Sequence, residues 1–268
     1  MRVSTISNSS TPLGDCVEPV LRSFNTWAFK RQQPSSIDGL RRCIAGAMAR
    51  CEAIPFVLYW GKGPRRNLAA PDAQCLNYLA TMAKAITQSY APGARLTLIC
   101  TDTHALHNGH AKSSTSCYFN AIGRAAAQHG FATCRLSSLV AALPEADRCS
   151  SSASISPKTL EQLIFSAERW YRGHGDVETG ARQYYAMNMI EREAVARAFP
   201  DAIFTTFNGS DLRELFPGSM PIFYMYALKR GHAVKPWFLN SRGENASAKQ
   251  HVASFKNNPS AASAAAAA

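Results

Sequence analysis

Four short apolar runs, each separated from the next by amphipathic helical patterns, limit this chain more than any other feature. They are IPFVLYW (54–60), RLTLICT (95–101), FATCRL (131–136) and AIFTTF (202–207). A strand that is apolar throughout, rather than alternately apolar and polar, must be buried on both faces. Strands of that kind joined by helices predict a parallel sheet with helices packed on each side. The helical segments carry their own signals. Ser36 precedes a pattern with Leu40, Ile44 and Met48 on one face, and Asp72 reads as the cap of a helix presenting Leu76, Leu79, Ala83 and Ile86. A third helix over about 115–129 ends before Gly130, and Ser156-Pro157 reads as a cap and first turn for KTLEQLIFSAERWY. A long helix over about 179–199 presents Tyr184, Met187, Ile190, Ala194 and Ala198. PIFYMYAL and AVKPWF, joined by KRGH, read as a closing antiparallel hairpin. The expected fold is therefore Rossmann-like α/β. It has a mixed, mostly parallel sheet, helices on both faces and a C-terminal hairpin.

The organisation expected along the chain is a single α/β domain over 16–240. A flexible Ser/Thr-rich stretch at 1–15 precedes it, and a Ser/Ala-rich disordered tail at 241–268 follows. A Ser-rich linker near 149–156 falls inside the domain. The formal net charge of +11 favours anionic partners. No block of consecutive basic residues and no aromatic–basic alternation occurs, which disfavours nucleic acid. The eight cysteines include no Cys-x-x-Cys pair, and several lie within apolar runs where a thiol acts as a small hydrophobe. That usage, with no signal-peptide pattern and no long apolar stretch, predicts a cytoplasmic protein in a reducing compartment, away from membranes.

One polar stretch stands out, TDTHALHNGH (101–110), because it leaves the end of the second strand. In such sheets ligands bind beyond the C-terminal strand ends. Three readings compete. Asp102, His104, His107 and His110 are residue types that zinc or iron accepts. The Asn108-Gly109 turn, however, argues against a helical i, i+3 pairing of the histidines. HNGH also resembles the H-x-G-H signature of class I nucleotidyltransferases, and SISPKTLEQL (154–163) faintly resembles their second signature, although the interval between the two is short. In the third reading the segment is structural: Asp102 caps backbone amides, His104 is a satisfied core imidazole and Asn108-Gly109 turns the chain. Among these groups Asp102, an acid just past a buried strand, is best placed for chemistry.

FVLYWGK, NLAAPDAQCLNYLATMAKAI and YAPGARLTLICTD, in that order, resemble the isonitrile (isocyanide) synthase family of pyoverdine-cluster and dityrosine biosynthesis proteins. YYAMNMIEREAVARAFPDAIFTTFNG and VKPWF continue the resemblance, which spans roughly 50–240. Departures fall on polar positions. Asn208-Gly209 stands where members carry His-Pro, Phe238 where Pro-Trp-His ends, and Thr103-His104 where glycine follows the aspartate; the lysine loop is shorter.

The resemblance implies a divergent secondary-metabolism enzyme. It would condense an L-amino acid's amine with the ketone of ribulose 5-phosphate to give an isonitrile or related product. Partners would be those small molecules and a downstream biosynthetic enzyme, with ribulose 5-phosphate as co-substrate and neither a metal nor another cofactor. The candidate catalytic residues are then Asp102, His104, His110 and Asn208. Lys62, Arg65 and Arg66 would bind the phosphate and Trp237 the side chain. The alternatives are a nucleotide-dependent transferase using HNGH and a non-catalytic relative that binds anionic ligands.

Overall fold

The computed structural model describes residues 13–61, 68, 70–148 and 154–225. Helices α1 (Leu13–Phe24) and α2 (Ile37–Ala49) precede the first strand, β1 (Ile54–Trp60). Next come α3 (Ala70–Ser89), β2 (Ala94–Cys100), α4 (Asp102–His107), α5 (Lys112–Ala127) and β3 (Ala132–Arg135). The second half holds α6 (Leu136–Ala141), α7 (Glu145–Arg148), α8 (Pro157–Trp170), α9 (Val177–Ala198), β4 (Ile203–Thr206), a 3-10 turn (Ser210–Leu215) and β5 (Ile222–Tyr224).

The sheet order is β3-β2-β1-β4-β5, and every strand pair is parallel. From β1 the chain builds outward through β2 and β3. It then crosses back to place β4 on β1's other side. β1 alternates across its two faces. Phe56, Leu58 and Trp60 join a core with α1, α2, α3 and α5, whereas Val57 and Tyr59 join one with α6, α8, α9 and the 3-10 segment. Burial on both faces is why IPFVLYW carries no polar residue.

Capping explains several helix starts. The Ser36 hydroxyl accepts from Gly39 N–H (2.9 Å), and Ser156 accepts from Thr159 N–H (3.2 Å) ahead of Pro157. Gly93 and Gly130 take positive φ, +70° and +72°, in the turns that precede β2 and follow α5.

Four expectations need correction. The sheet is not mixed among the described strands. After β4 the segment 207–221 returns the chain to the sheet's opposite end, so β5 pairs parallel with β4. The hairpin's second arm, with Trp237, lies outside the described residues. Asp72 is not an N-cap. α3 begins at Ala70, and Asp72 is fully buried in its first turn, accepting from the Tyr118 hydroxyl at 3.0 Å. Residues 102–107 form a helix rather than a loop. The buried face of α9 is Tyr184, Tyr185, Asn188, Met189, Glu191, Ala194 and Val195, a rotation of the expected stripe that takes two polar residues inside.

α1 has no counterpart in the expectations. Its Val17, Val20, Leu21 and Phe24 bury one face despite Pro19, and Phe24 packs edge-on against Phe56 and Phe223. The connection from α1 to α2 runs antiparallel along β5. Lys30 bridges Met225, Arg31 N–H donates to Tyr224 O, and Ser35 N–H donates to Ile222 O. That segment covers the β5 edge.

The seven described cysteines are free thiols. Burial pushes Cys100 up to about 12 and Cys134 to about 11, which keeps both protonated and unreactive at neutral pH. No helix among the described residues is long and apolar enough to cross a membrane.

Candidate functional site

All five strands point their C-terminal ends to one edge, and their register sets the heights there. Trp60 pairs with Cys100, and Leu58 with Thr205, so Trp60, Cys100 and Phe207 stand level. On that edge Gly61 follows β1, Thr101 and Asp102 follow β2, and Phe207 and Asn208 follow β4. Adjacent strands are about 4.8 Å apart, so the β2 and β4 ends flank the β1 end within about 10 Å. Between β1 and β4 the order of connection reverses, which is where a parallel α/β sheet opens a crevice. Lys62, Arg65 and Arg66 follow β1 in the sequence and lie outside the described residues.

α4 divides its side chains among different neighbours. Asp102, half-buried, turns toward α6: its Oδ1 accepts from Ser137 N–H (3.0 Å) and its Oδ2 from the Ser137 hydroxyl (2.5 Å). His104 turns to α9 and is 3% exposed. Its Nε2 lies 2.6 Å from Glu191 Oε2, and its Nδ1 lies 3.4 Å from the Tyr184 hydroxyl. Glu191, itself 1% exposed, also accepts from the Thr103 hydroxyl at 2.5 Å. Both ring nitrogens of His104 are thus engaged in the interior.

His107 donates from Nε2 to Gly180 O at 3.0 Å, and burial lowers its pKa. The Asn108 amide donates to His104 O at 2.7 Å, and Gly109 (φ +84°) closely approaches the backbone of Arg172. The HNGH stretch therefore locks α4 to the α8–α9 turn. His110 is half-buried, and burial lowers its pKa too, leaving it neutral at pH 7. His104 and His107 both turn to α9, with ring centres 4.9 and 6.0 Å from that of Tyr184. Among the described residues no three His, Cys, Asp or Glu side chains are placed to hold a metal ion.

Glu191 was hidden from sequence reasoning because EREAVAR has the look of a solvated helix face. Tyr59 shares its chamber. Its ring lies 6.1 Å from that of His104, and among the described residues its buried hydroxyl has no partner. Burial first, then Glu191 and Tyr184, push the Tyr59 phenol well above its usual value.

Asn208 is a further buried polar group of this kind. It is 1% exposed, and among the described residues neither its Nδ2 nor its Oδ1 has a hydrogen-bond partner. A buried amide left unpaired costs about 1–3 kcal/mol, so the position calls for an explanation. Beside it the α1–α2 connection brings basic residues. Arg31 Nη1 donates to Phe207 O at 3.2 Å, and the Tyr78 ring is tilted against those of Phe29 and Phe207 (ring centres 5.6 and 6.3 Å away). Two open clefts of about 420 Å³ lie elsewhere, one between α5 and β3 and one between α9 and the 3-10 turn. Neither is lined by Asp102, His104, His110 or Asn208.

Strand order and parallel pairing together give a Rossmann-like α/β fold, and in folds of this kind ligands bind at the switch point, here between β1 and β4. That fold is shared with the PvcA protein from Pseudomonas aeruginosa, whose crystal structure superposes with a TM-score of 0.55 and 18% identity over 83% of this chain and 88% of that one. A tyrosyl-tRNA synthetase from Archaeoglobus fulgidus, solved with L-tyrosine, aligns at a TM-score of 0.44 and 13% identity over 79% of this chain and 64% of that one. No protein-family model matches the sequence, and no curated protein does.

Proposed function

We propose that the chain is an isonitrile-synthase-type enzyme that condenses the amine of an L-amino acid with the ketone of ribulose 5-phosphate, the ketone oxygen leaving as water, after which fragmentation of the sugar carbon chain leaves the α-nitrogen as an isonitrile or a related product. The observation that carries this reading is Asn208, whose buried amide has no partner among the described residues and which follows the end of β4, next to β1 in the sheet. The shared fold with PvcA supports it, as does the ordered set of motifs that resembles the isonitrile synthases.

The chemistry follows from the side chains. Forming the new C–N bond requires an amine stripped of its proton and a ketone oxygen able to take up negative charge. The Asn208 amide donates to that oxygen, and because it is fixed before substrate arrives it loses nothing in reorganisation. Asp102, held by Ser137, keeps lone pairs available to orient the ammonium. His110, neutral at pH 7, accepts the proton. His104 holds α4 to α9 through Glu191, and its effect on catalysis runs through the position of Asp102. Lys62, Arg65 and Arg66 serve the phosphate, and Trp237 the amino-acid side chain. A downstream enzyme would consume the product.

Incubating the purified full-length chain with ribulose 5-phosphate and each proteinogenic L-amino acid, followed by mass spectrometry, tests the reading. Both compounds should disappear in equal amounts for at least one amino acid. Asn208→Ala should lower kcat/KM by about 100-fold, the usual loss for one preorganised donor. Failure of every amino acid to be consumed would sink the assignment.

A further inference from the structure

The 3-10 turn after β4 sorts its side chains by threes. Residues three apart eclipse one another in such a turn, so 212 and 215 make one ridge and 211 and 214 another. Leu212 and Leu215 are buried in the core shared with α8 and α9. Asp211, Arg213 and Glu214 belong to the remaining ridges. With Arg192 of α9 and Thr159 of α8 they line a cleft of about 420 Å³, to which Phe216 adds an apolar wall. That size falls within the ~300–1,000 Å³ of small-molecule sites.

The charges of this cleft do not neutralise one another. None of the ion pairs among the described residues includes Arg192, Arg213, Asp211 or Glu214. Arg192 Nη1 donates to Glu214 O at 2.7 Å, a backbone contact that ties α9 to the turn and uses one of the guanidinium's N–H donors. Arg213 lies beside the Tyr224 phenol, which burial keeps protonated, so that neighbour offers no counter-charge. Glu214 Oε1 is buried and has no hydrogen-bond partner among the described residues. A buried carboxylate oxygen without a donor is costly.

Opposite charges that share a cleft without pairing are satisfied together by a molecule that carries both. A simple anion would meet repulsion from Asp211 and Glu214, and a simple cation from the two guanidiniums. We propose that this cleft binds a free α-amino acid, with its carboxylate on Arg192 and Arg213 and its ammonium on Glu214. The guanidinium fork matches a planar carboxylate, and an ammonium supplies the donor that Glu214 Oε1 lacks. The Thr159 hydroxyl, in a residue 5% exposed, accepts from the Ser156 hydroxyl at 2.9 Å and has its own proton to give to the carboxylate. Phe216 is placed to meet an apolar side chain. The site is separate from the switch-point residues and does not rest on the reaction proposed above.

The test measures binding. Each proteinogenic L-amino acid, its N-acetyl form and its α-carboxamide are titrated calorimetrically into the full-length chain, Arg213→Gln, Glu214→Gln and Asn208→Ala. At least one amino acid should bind the parent, and either cleft substitution should weaken it by about tenfold or more. Asn208→Ala should hold that affinity within about threefold. Loss of either ligand charge should weaken binding to the parent to a similar degree. The N-acetyl form, which has no ammonium, should then be indifferent to Glu214→Gln, and the carboxamide to Arg213→Gln. Misfolding would weaken every probe alike, so this crosswise pattern separates recognition from a structural effect. The proposal is overturned if no amino acid binds, if both cleft variants bind as the parent does, or if only Asn208→Ala loses affinity. Binding that follows the crosswise pattern without consumption of any amino acid leaves this site standing while the reaction assigned above fails.

Discussion

Glu191, in the middle of α9, collects the Thr103 hydroxyl and the His104 ring from α4 while 1% exposed. Breaking a buried pair of this kind by removing one partner is costly, because the other is left without compensation. Glu191→Ala should lower unfolding free energy by about 3 kcal/mol, measured by urea denaturation. Glu191→Gln, which keeps an acceptor for Thr103, should lose only about 1 kcal/mol. Equal stability of Glu191→Ala and the parent would mean that the contact contributes nothing. At this scale the sequence was informative only where chemistry and position coincided. Asp102 and Asn208 follow apolar runs, so their place at strand ends could be read directly. Glu191 and Lys30 could not be read, since nothing in EREAVAR or AFKRQQ distinguishes an interior charge from a solvated one. Their burial is set by partners 87 residues away in one case and by pairing with Met225 in the other.

Elements were legible in proportion to how completely their environment was apolar. β1, β2 and β4 lie in runs largely covered on both faces, β3 is a half-exposed edge strand marked instead by the buried Phe131 and Leu136 that flank it, and the Ser36 and Ser156 caps mark their helices. α1 was missed because Pro19 breaks the helical signal, although the residues around it keep an i, i+3, i+4, i+7 stripe. α4 was read as a loop because Asn108-Gly109 marks a turn; the turn is real, but it ends a six-residue helix. The direction of β5 depends on how far segment 207–221 travels, which local pattern does not reveal. Gly109 gives this scale its prediction. Its φ of +84° and its close approach to Arg172 O admit no Cβ without backbone movement. Gly109→Ala should cost about 2 kcal/mol and loosen the α8–α9 turn. Hydrogen exchange should then quicken at Gly173–Asp176 before it quickens in β1 or β2. Uniform exchange across these regions would contradict the role given to this contact.

At the scale of the molecule, the parallel sheet brings Asp102 and Asn208, which follow β2 and β4, to one edge. The sequence was sufficient to place Asp102 and Asn208 at strand ends, but not to order the strands. It is the β3-β2-β1-β4-β5 order that brings the two ends to either side of β1. An edge that holds an unpaired amide in the free protein should be less stable empty than filled. Asn208→Leu removes the unpaired amide at similar volume and should raise the stability of the unliganded chain by about 1 kcal/mol. Ligand should act in the opposite sense on the two proteins. At a concentration of about 100 times Kd, a ligand that binds only the folded state adds about 2.7 kcal/mol. For a domain of this size that corresponds to a rise in Tm of roughly 5–10 °C. Ribulose 5-phosphate should therefore raise the parent's Tm by several degrees and leave Asn208→Leu nearly unmoved, so that the two melting curves cross over as ligand is added. Parallel shifts in both proteins would place the ligand away from Asn208 and separate the switch-point edge from substrate binding.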